Sequence, residues 1–171
     1  MCAFARQKQI SLVEKRMQVD WSRTSRKTGS VTFTACSSAG KPLLLRLENV
    51  RIAFEPSVYG GDGTELRKNL CFTQVQDDIL AAVKAMEESL ESPACSCIKE
   101  DLLKTKVSLD KVKIFDASRN RTEPPKNWRG WEVNAMARIR GKWETRTQCG
   151  LCLELTDVQL LREASEAVCP F

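Results

Sequence analysis

Eight cysteines and no histidine set the chemical repertoire of this 171-residue chain. Without imidazole, Ser-His and Cys-His nucleophile pairs, histidine proton shuttles and histidine-containing metal sites are excluded. Cys95-Ser-Cys97 and Cys149-Gly-Leu-Cys152 could together offer four thiolates to a tetrahedral zinc. The first spacing is tighter than a typical zinc knuckle. Leu151, Leu153 and Leu155 alternate through and beyond the second pair as a strand does. Residues three apart in a strand point to opposite faces, so Cys149 and Cys152 are not expected to share one metal. The expectation is free thiols, no metal and no cofactor. Asp77-Asp78, with Asp110 and Asp116, would be the carboxylates of a nuclease-like enzyme. The pair opens a helical pattern, where carboxylates complement exposed N–H groups, so capping accounts for it and the chain reads as a non-enzyme.

The remaining chemistry is polyanion binding. The chain carries 27 Lys+Arg against 22 Asp+Glu, and the excess is unevenly spread. Residues 111–146 hold ten bases and four acids, whereas residues 48–107 hold seven bases and eleven acids. The basic stretch also contains Phe115 and the tryptophans Trp128, Trp131 and Trp143. Lys and Arg track phosphates, and exposed rings stack on bases at roughly 1–3 kcal/mol each. The candidate binding residues are Arg51, Tyr59, Lys111, Lys113, Trp128, Arg129, Arg138, Arg140, Lys142, Trp143 and Arg146. Arg138 and Arg140 alternate with Val133, Ala135, Ala137 and Ile139, so they should face away from the core. Lys111 and Lys113 alternate in the same way with Val112 and Ile114. Trp131 shares the apolar phase and reads as core; Trp128, on a polar loop, reads as an exposed platform; Trp143 is open between the two. The plain alternative is a solvated strand face with no ligand.

These residues need a scaffold, and most of it reads as strand. Residues 1–30 are basic and polar and read as a mobile arm; an organellar transit sequence is opposed by Glu14 and Asp20. Val31–Cys36 alternates. Leu43 to Tyr59 is one long extended segment whose apolar residues change phase, from Leu43, Leu45 and Leu47 to Val50, Ile52 and Phe54. Such a change is the mark of a β-bulge, which bends a strand so that it can serve a small barrel. Gly60–Gly63 reads as a turn and Asn69–Val75 as a strand. Ile79, Leu80, Val83, Met86 and Leu90 fall at helical spacing, predicting a helix from about Asp77 to Glu91 packed across one barrel end. Lys99–Thr105 reads as a short helical piece, and Val112–Ile114 as a strand. A polar loop spans Asp116–Asn127, strands follow around Trp131–Ile139 and Leu151–Leu155, and a terminal helix or tail follows from Val158 to Ala167.

The fold expected is mainly β: a five- or six-stranded, OB-like Greek-key barrel with a helix between the third and fourth strands. It would occupy residues 31–160, between the arm and a C-terminal tail at 161–171. No apolar run approaches the roughly 20 residues of a membrane span, and no signal-like segment is seen, so the expectation is a reducing intracellular compartment and no membrane association.

The block Ala137-Arg-Ile-Arg-Gly-Lys-Trp143, then Cys149-Gly-Leu-Cys-Leu-Glu-Leu155, resembles viral single-stranded DNA-binding proteins of the OB-fold type. So do the bulged strand running into Tyr59-Gly60-Gly61, the strand order and the amphipathic helix. Such proteins occur in bacteriophages and in large eukaryotic DNA viruses. The resemblance covers roughly residues 31–160. It implies sequence-independent binding of single-stranded DNA in viral replication or recombination, in host cytoplasm or nucleus, with replication proteins as further partners. The acidic tail of the phage members is missing here, where Arg162–Phe171 carries only Glu163 and Glu166 before a terminal Pro-Phe. RNA as ligand, a homo-oligomer, and a protein–protein adaptor built on the same barrel stay open.

Overall fold

A computed structural model describes residues 19–25, 31–37, 42–58, 67–90 and 95–163. In chain order the elements are β1 (Val19–Ser25), β2 (Val31–Ser37), β3 (Leu43–Ile52), β4 (Ser57–Val58) and β5 (Arg67–Thr73), followed by helix α1 (Asp77–Glu88). After it come β6 (Ile98–Lys99), β7 (Leu102–Ser108), β8 (Lys113–Phe115), β9 (Glu132–Glu144) and β10 (Cys149–Arg162). Strands pair in the circuit β9-β3-β5-β7-β10, and β10 pairs back onto β9, so five strands close a barrel. Every pair in that ring is antiparallel except β7–β10, the arrangement of an OB-like Greek-key barrel.

The bulge sits where the apolar phase changes. Leu45 and Leu47, then Val50 and Ile52, are buried, and the β3–β9 register slips between Leu47 and Val50. Asn49 takes up the extra residue at φ 52, a left-handed conformation that Asn tolerates better than most residues. A comparable slip between Leu155 and Asp157 on β10 passes the buried phase from Leu151, Leu153 and Leu155 to Val158 and Leu160. Helix α1 contributes Val83 and Met86 to the same core. Its N-cap is Gln76 and no side chain caps it; Asp77 and Asp78 lie in the first turn, where Asp78 Oδ1 accepts the Ile79 N–H at 3.0 Å and acids complement the exposed N–H groups. At its other end the buried Glu87 carboxylate accepts from Ser96 Oγ at 2.6 Å and from the Cys97 N–H, tying the helix to the segment that leads into β6.

Four expectations are corrected. Val19–Ser25, read within a mobile arm, is a strand in antiparallel register with β2. Only Val19 and Trp21 are apolar, and Ser22–Ser25 is polar, so the alternation is too short to mark a strand. Lys99–Thr105 is a hairpin and not a helix: Lys99 pairs with Leu102 across the turn Glu100-Asp101, and Glu100 adopts φ 58. Leu103, Thr105 and Val107 are buried between Lys104 and Lys106, a period of two. The terminal helix or tail expected from Val158 is instead, as far as Arg162, the second half of β10. The long segment from Leu43 is also interrupted, with a loop between Ile52 and β4. Tyr59, the Gly60–Gly63 turn, residues 1–18 and 26–30, and the tail from 164 lie outside the described residues.

Candidate nucleic-acid interface

On β9 the alternation holds: Val133, Ala135, Ala137 and Ile139 are buried, and Arg138 and Arg140 lie on the other face. That face is charge-compensated. Arg140 pairs with Glu154 at 3.2 Å, and Arg162 pairs with Glu132 at 2.6 Å. Together β9 and β10 carry four cations (Arg138, Arg140, Lys142, Arg162) and four acids (Glu132, Glu144, Glu154, Asp157). Arg138 is half-buried, with its Nε enclosed and without a hydrogen-bond partner.

The other sequence-derived residues are scattered. Arg51 is exposed on β3, in register with Thr73 on one side and Glu132 on the other. Lys111 and Lys113 are exposed at the β7–β8 connection and on β8, where Lys113 lies in register with Asp157. Arg146 is exposed in the β9–β10 turn, which Thr145 N–H closes onto the Gln148 carbonyl at 2.8 Å. Lys142 and Trp143 are half-buried. The Trp143 ring lies over Gly150, where an added Cβ would come within 2.8 Å of Cζ2, so this indole packs on β10.

Trp128 corrects the expectation of an exposed stacking ring: it is 5% exposed and belongs to the core. Residues 128–131 form a turn in which Trp131 N–H reaches the Trp128 carbonyl at 3.3 Å and Gly130 adopts φ 85. A φ above zero at the third position is what Gly provides in a type II turn. Gly130 N–H bonds Ile52 O at 2.8 Å and Ile52 N–H bonds Trp131 O at 2.9 Å, seating the turn on the end of β3. Trp131, expected in the core, is only partly buried and packs against it.

A different strand pair carries charge of one sign. β5 and β7 hold Arg67, Lys68, Lys104 and Lys106 and no acid. The register sets Asn69 beside Lys106 and Cys71 beside Lys104, while Leu70 and Phe72 point into the core. Lys104 and Lys106 therefore share the outward face, roughly 7 Å apart along the strand. Glu154 of β10 borders this face at the register position of Lys106. Burial raises the Cys71 thiol pKa, and the nearby Lys104 ammonium opposes that shift.

The loop leaving β3 runs along the same pair. Ala53 N–H bonds Cys71 O at 2.9 Å, Ser57 pairs with Asn69 and Val58 with Lys68. Phe54, 53% exposed, and Val58, 55% exposed, stand on this loop as apolar groups in solvent. Sequence reasoning missed Phe54, Arg67, Lys104 and Lys106; Lys68 shares the phase of Leu70 and Phe72 and lies off the outward face. The period-two pattern of residues 102–108 was the available signal, and the acids of α1 and the loops masked the strands' charge when residues 48–107 were summed.

Cys71, Cys95, Cys97, Cys149 and Cys152 are thiols outside any disulfide. Cys95 N–H donates to Cys149 O at 2.7 Å, so the two cysteine pairs do come together along the backbone. Among the described residues, however, no group of three or more Cys, Asp or Glu is placed to hold a metal ion. Burial and the Glu87 carboxylate push the Cys97 thiol up to about 12. No helix among the described residues is long and apolar enough to cross a membrane.

No family model matches the chain, and no curated protein matches it in sequence. Among solved structures it is similar to the single-stranded DNA-binding protein from bacteriophage Enc34 in complex with ssDNA, at 16% identity and a TM-score of 0.49, covering 86% of this chain and 97% of that one. It is also similar to gp2.5, a single-stranded DNA-binding protein encoded by bacteriophage T7, at 15% identity and a TM-score of 0.44, covering 75% and 96%. The solved structures to which this chain is similar thus include bacteriophage single-stranded DNA-binding proteins.

Proposed function

We propose that this chain binds single-stranded DNA without strong sequence preference, on the outward face of β5 and β7 with Phe54 at its edge. The observation that carries this reading is the charge of one sign on that pair, beside a β9–β10 pair in which cations and acids are equal in number. Lysines spaced along one strand neutralise phosphates and read no base edge. An exposed phenyl ring stacks only on a base whose face is free, which favours single strands over duplex. Protection or organisation of single-stranded DNA during viral replication or recombination is the role this binding would serve. No catalytic step is assigned, and the chain acts by binding alone.

Fluorescence anisotropy with oligo-dT, oligo-rU and duplex DNA, at several salt concentrations, tests the proposal. Oligo-dT should bind more tightly than duplex, and its affinity should fall steeply with salt. Lys104→Ala/Lys106→Ala should weaken binding and lower the salt slope by about 1.4, two phosphate contacts on a single strand. Unchanged affinity and slope in that variant would remove the β5–β7 face as the site. A comparison of oligo-dT with oligo-rU decides the place of RNA.

A further inference from the structure

Glu55 is an acid at the edge of a surface proposed for a polyanion, and both oxygens of its carboxylate accept hydrogen bonds. Its oxygens accept from the Trp128 N–H at 2.9 and 3.1 Å, and Oε1 also accepts from the Arg129 N–H at 2.8 Å. The next amide along, that of Gly130, bonds Ile52 O at 2.8 Å, so three successive N–H groups of the turn are fixed to the end of β3 and its loop. On one side of Glu55 in the chain stands the exposed ring of Phe54. On the other side of the hydrogen bonds stands the exposed Arg129, with the buried Trp128 as anchor beneath it.

We infer that Glu55 is a positioning residue of the nucleic-acid interface: by clamping the 128–131 turn to the β3 loop it holds Phe54 and Arg129 as one base-stacking and phosphate-binding unit. This inference rests on the function proposed above. Its logic is one of opposed signs. Through space, a carboxylate repels phosphate, so its removal on charge grounds alone strengthens binding. As a clamp it lowers the entropy lost when Phe54 and Arg129 engage a strand, so its removal weakens binding. Charge-assisted bonds to two backbone amides are among the stronger ones a side chain makes, and this is what lets one residue fix two loops.

The test is an oligo-dT titration of the wild type, Glu55→Ala, Phe54→Ala and the double variant, at a temperature where urea unfolding shows each to be folded. Glu55→Ala should bind about tenfold more weakly despite losing a negative charge, the scale of one lost stacking contact. The double variant should bind no more than a few-fold more weakly than Phe54→Ala alone, because Glu55 acts partly through that ring. Should Glu55→Ala fail to fold, Glu55→Met replaces it; that side chain is of similar length but offers the two amides no oxygen, and the same loss is expected. Affinity that is unchanged or tighter in the Glu55 variant, or losses that multiply fully in the double variant, overturns the clamp while leaving the proposed function in place. A wild type that ignores oligo-dT removes the interface, and the inference with it.

Discussion

The backbone N–H of Asn49 donates to Oδ1 of Asn134 at 2.9 Å, joining the bulged residue of β3 to the outward face of β9. The bulge faces no regular ladder partner, and Asn134 supplies the missing acceptor. Asn134 is itself held, since its amide nitrogen donates to Gln159 Oε1 at 3.1 Å across the β9–β10 pair. Asn134→Ala should therefore cost about 1 kcal/mol of stability in urea denaturation. Asn49→Gly should be tolerated, whereas Asn49→Val should cost more than Asn134→Ala, because a β-branched residue resists φ 52. Equal stability of Asn49→Val and wild type would show that the bulge relocates.

Trp128 and Trp131 should separate cleanly in stability. Removing the buried Trp128 ring should destabilise the fold by about 3–5 kcal/mol. Trp131→Ala should cost clearly less, because that ring is partly exposed. Thermal or urea unfolding of the two variants measures the difference, and a larger loss from Trp131→Ala would contradict the burial described.

The arginines of β9 should matter less for binding than the lysines of β7. Arg140 is paired with Glu154 at 3.2 Å, so a phosphate must compete with that carboxylate for it. Arg138→Ala/Arg140→Ala should weaken oligo-dT binding by less than Lys104→Ala/Lys106→Ala does in the same salt series. The reverse order would shift the binding face to β9.

Cys97 should be inert where Cys95 is not. Iodoacetamide at pH 8, read by peptide mass spectrometry, should label the exposed Cys95 and spare Cys97 until the chain unfolds. The raised thiol also has a consequence for stability. The unfolded chain loses this proton near pH 9.0, while the folded chain keeps it until about 12. Across that window the unfolded state binds fewer protons, so stability falls as pH rises. In Cys97→Ala this share of the alkaline decline should be absent, and an identical decline in both proteins would contradict the thiol's assignment.

What the sequence discloses depends on whether a position is decided locally. The apolar phases of β3 and β9 follow from burial on one face, so the bulge after Leu47 and the outward arginines could be read directly. Helix α1 was legible for the same reason, through Val83 and Met86 on its buried side. In β1 only Val19 and Trp21 alternate before four polar residues, too short a pattern to reveal the strand that pairs with β2. Trp128 is fixed by a carboxylate 73 residues away, and no local pattern records such a contact. The lysines of β7 escaped for another reason: the doublet Leu102-Leu103 suggests a helix until Thr105 and Val107 are seen to share the phase of Leu103.

The one parallel pair in the ring, β7–β10, meets in register only at Glu154 and Lys106. The barrel is in this respect a hoop with a thin weld here and a second at β3–β5, which meet in register only at Arg51–Thr73 and Ile52–Phe72. The β5–β7 pair stands between the two welds, so brief openings of the native state should release it as a unit before the long β9–β10 ladder parts. Amides of β7 that face β10, and of β5 that face β3, should then exchange faster than those between β9 and β10. A ligand that lies on β5 and β7 touches one lip of each weld, and so braces the hoop as it binds.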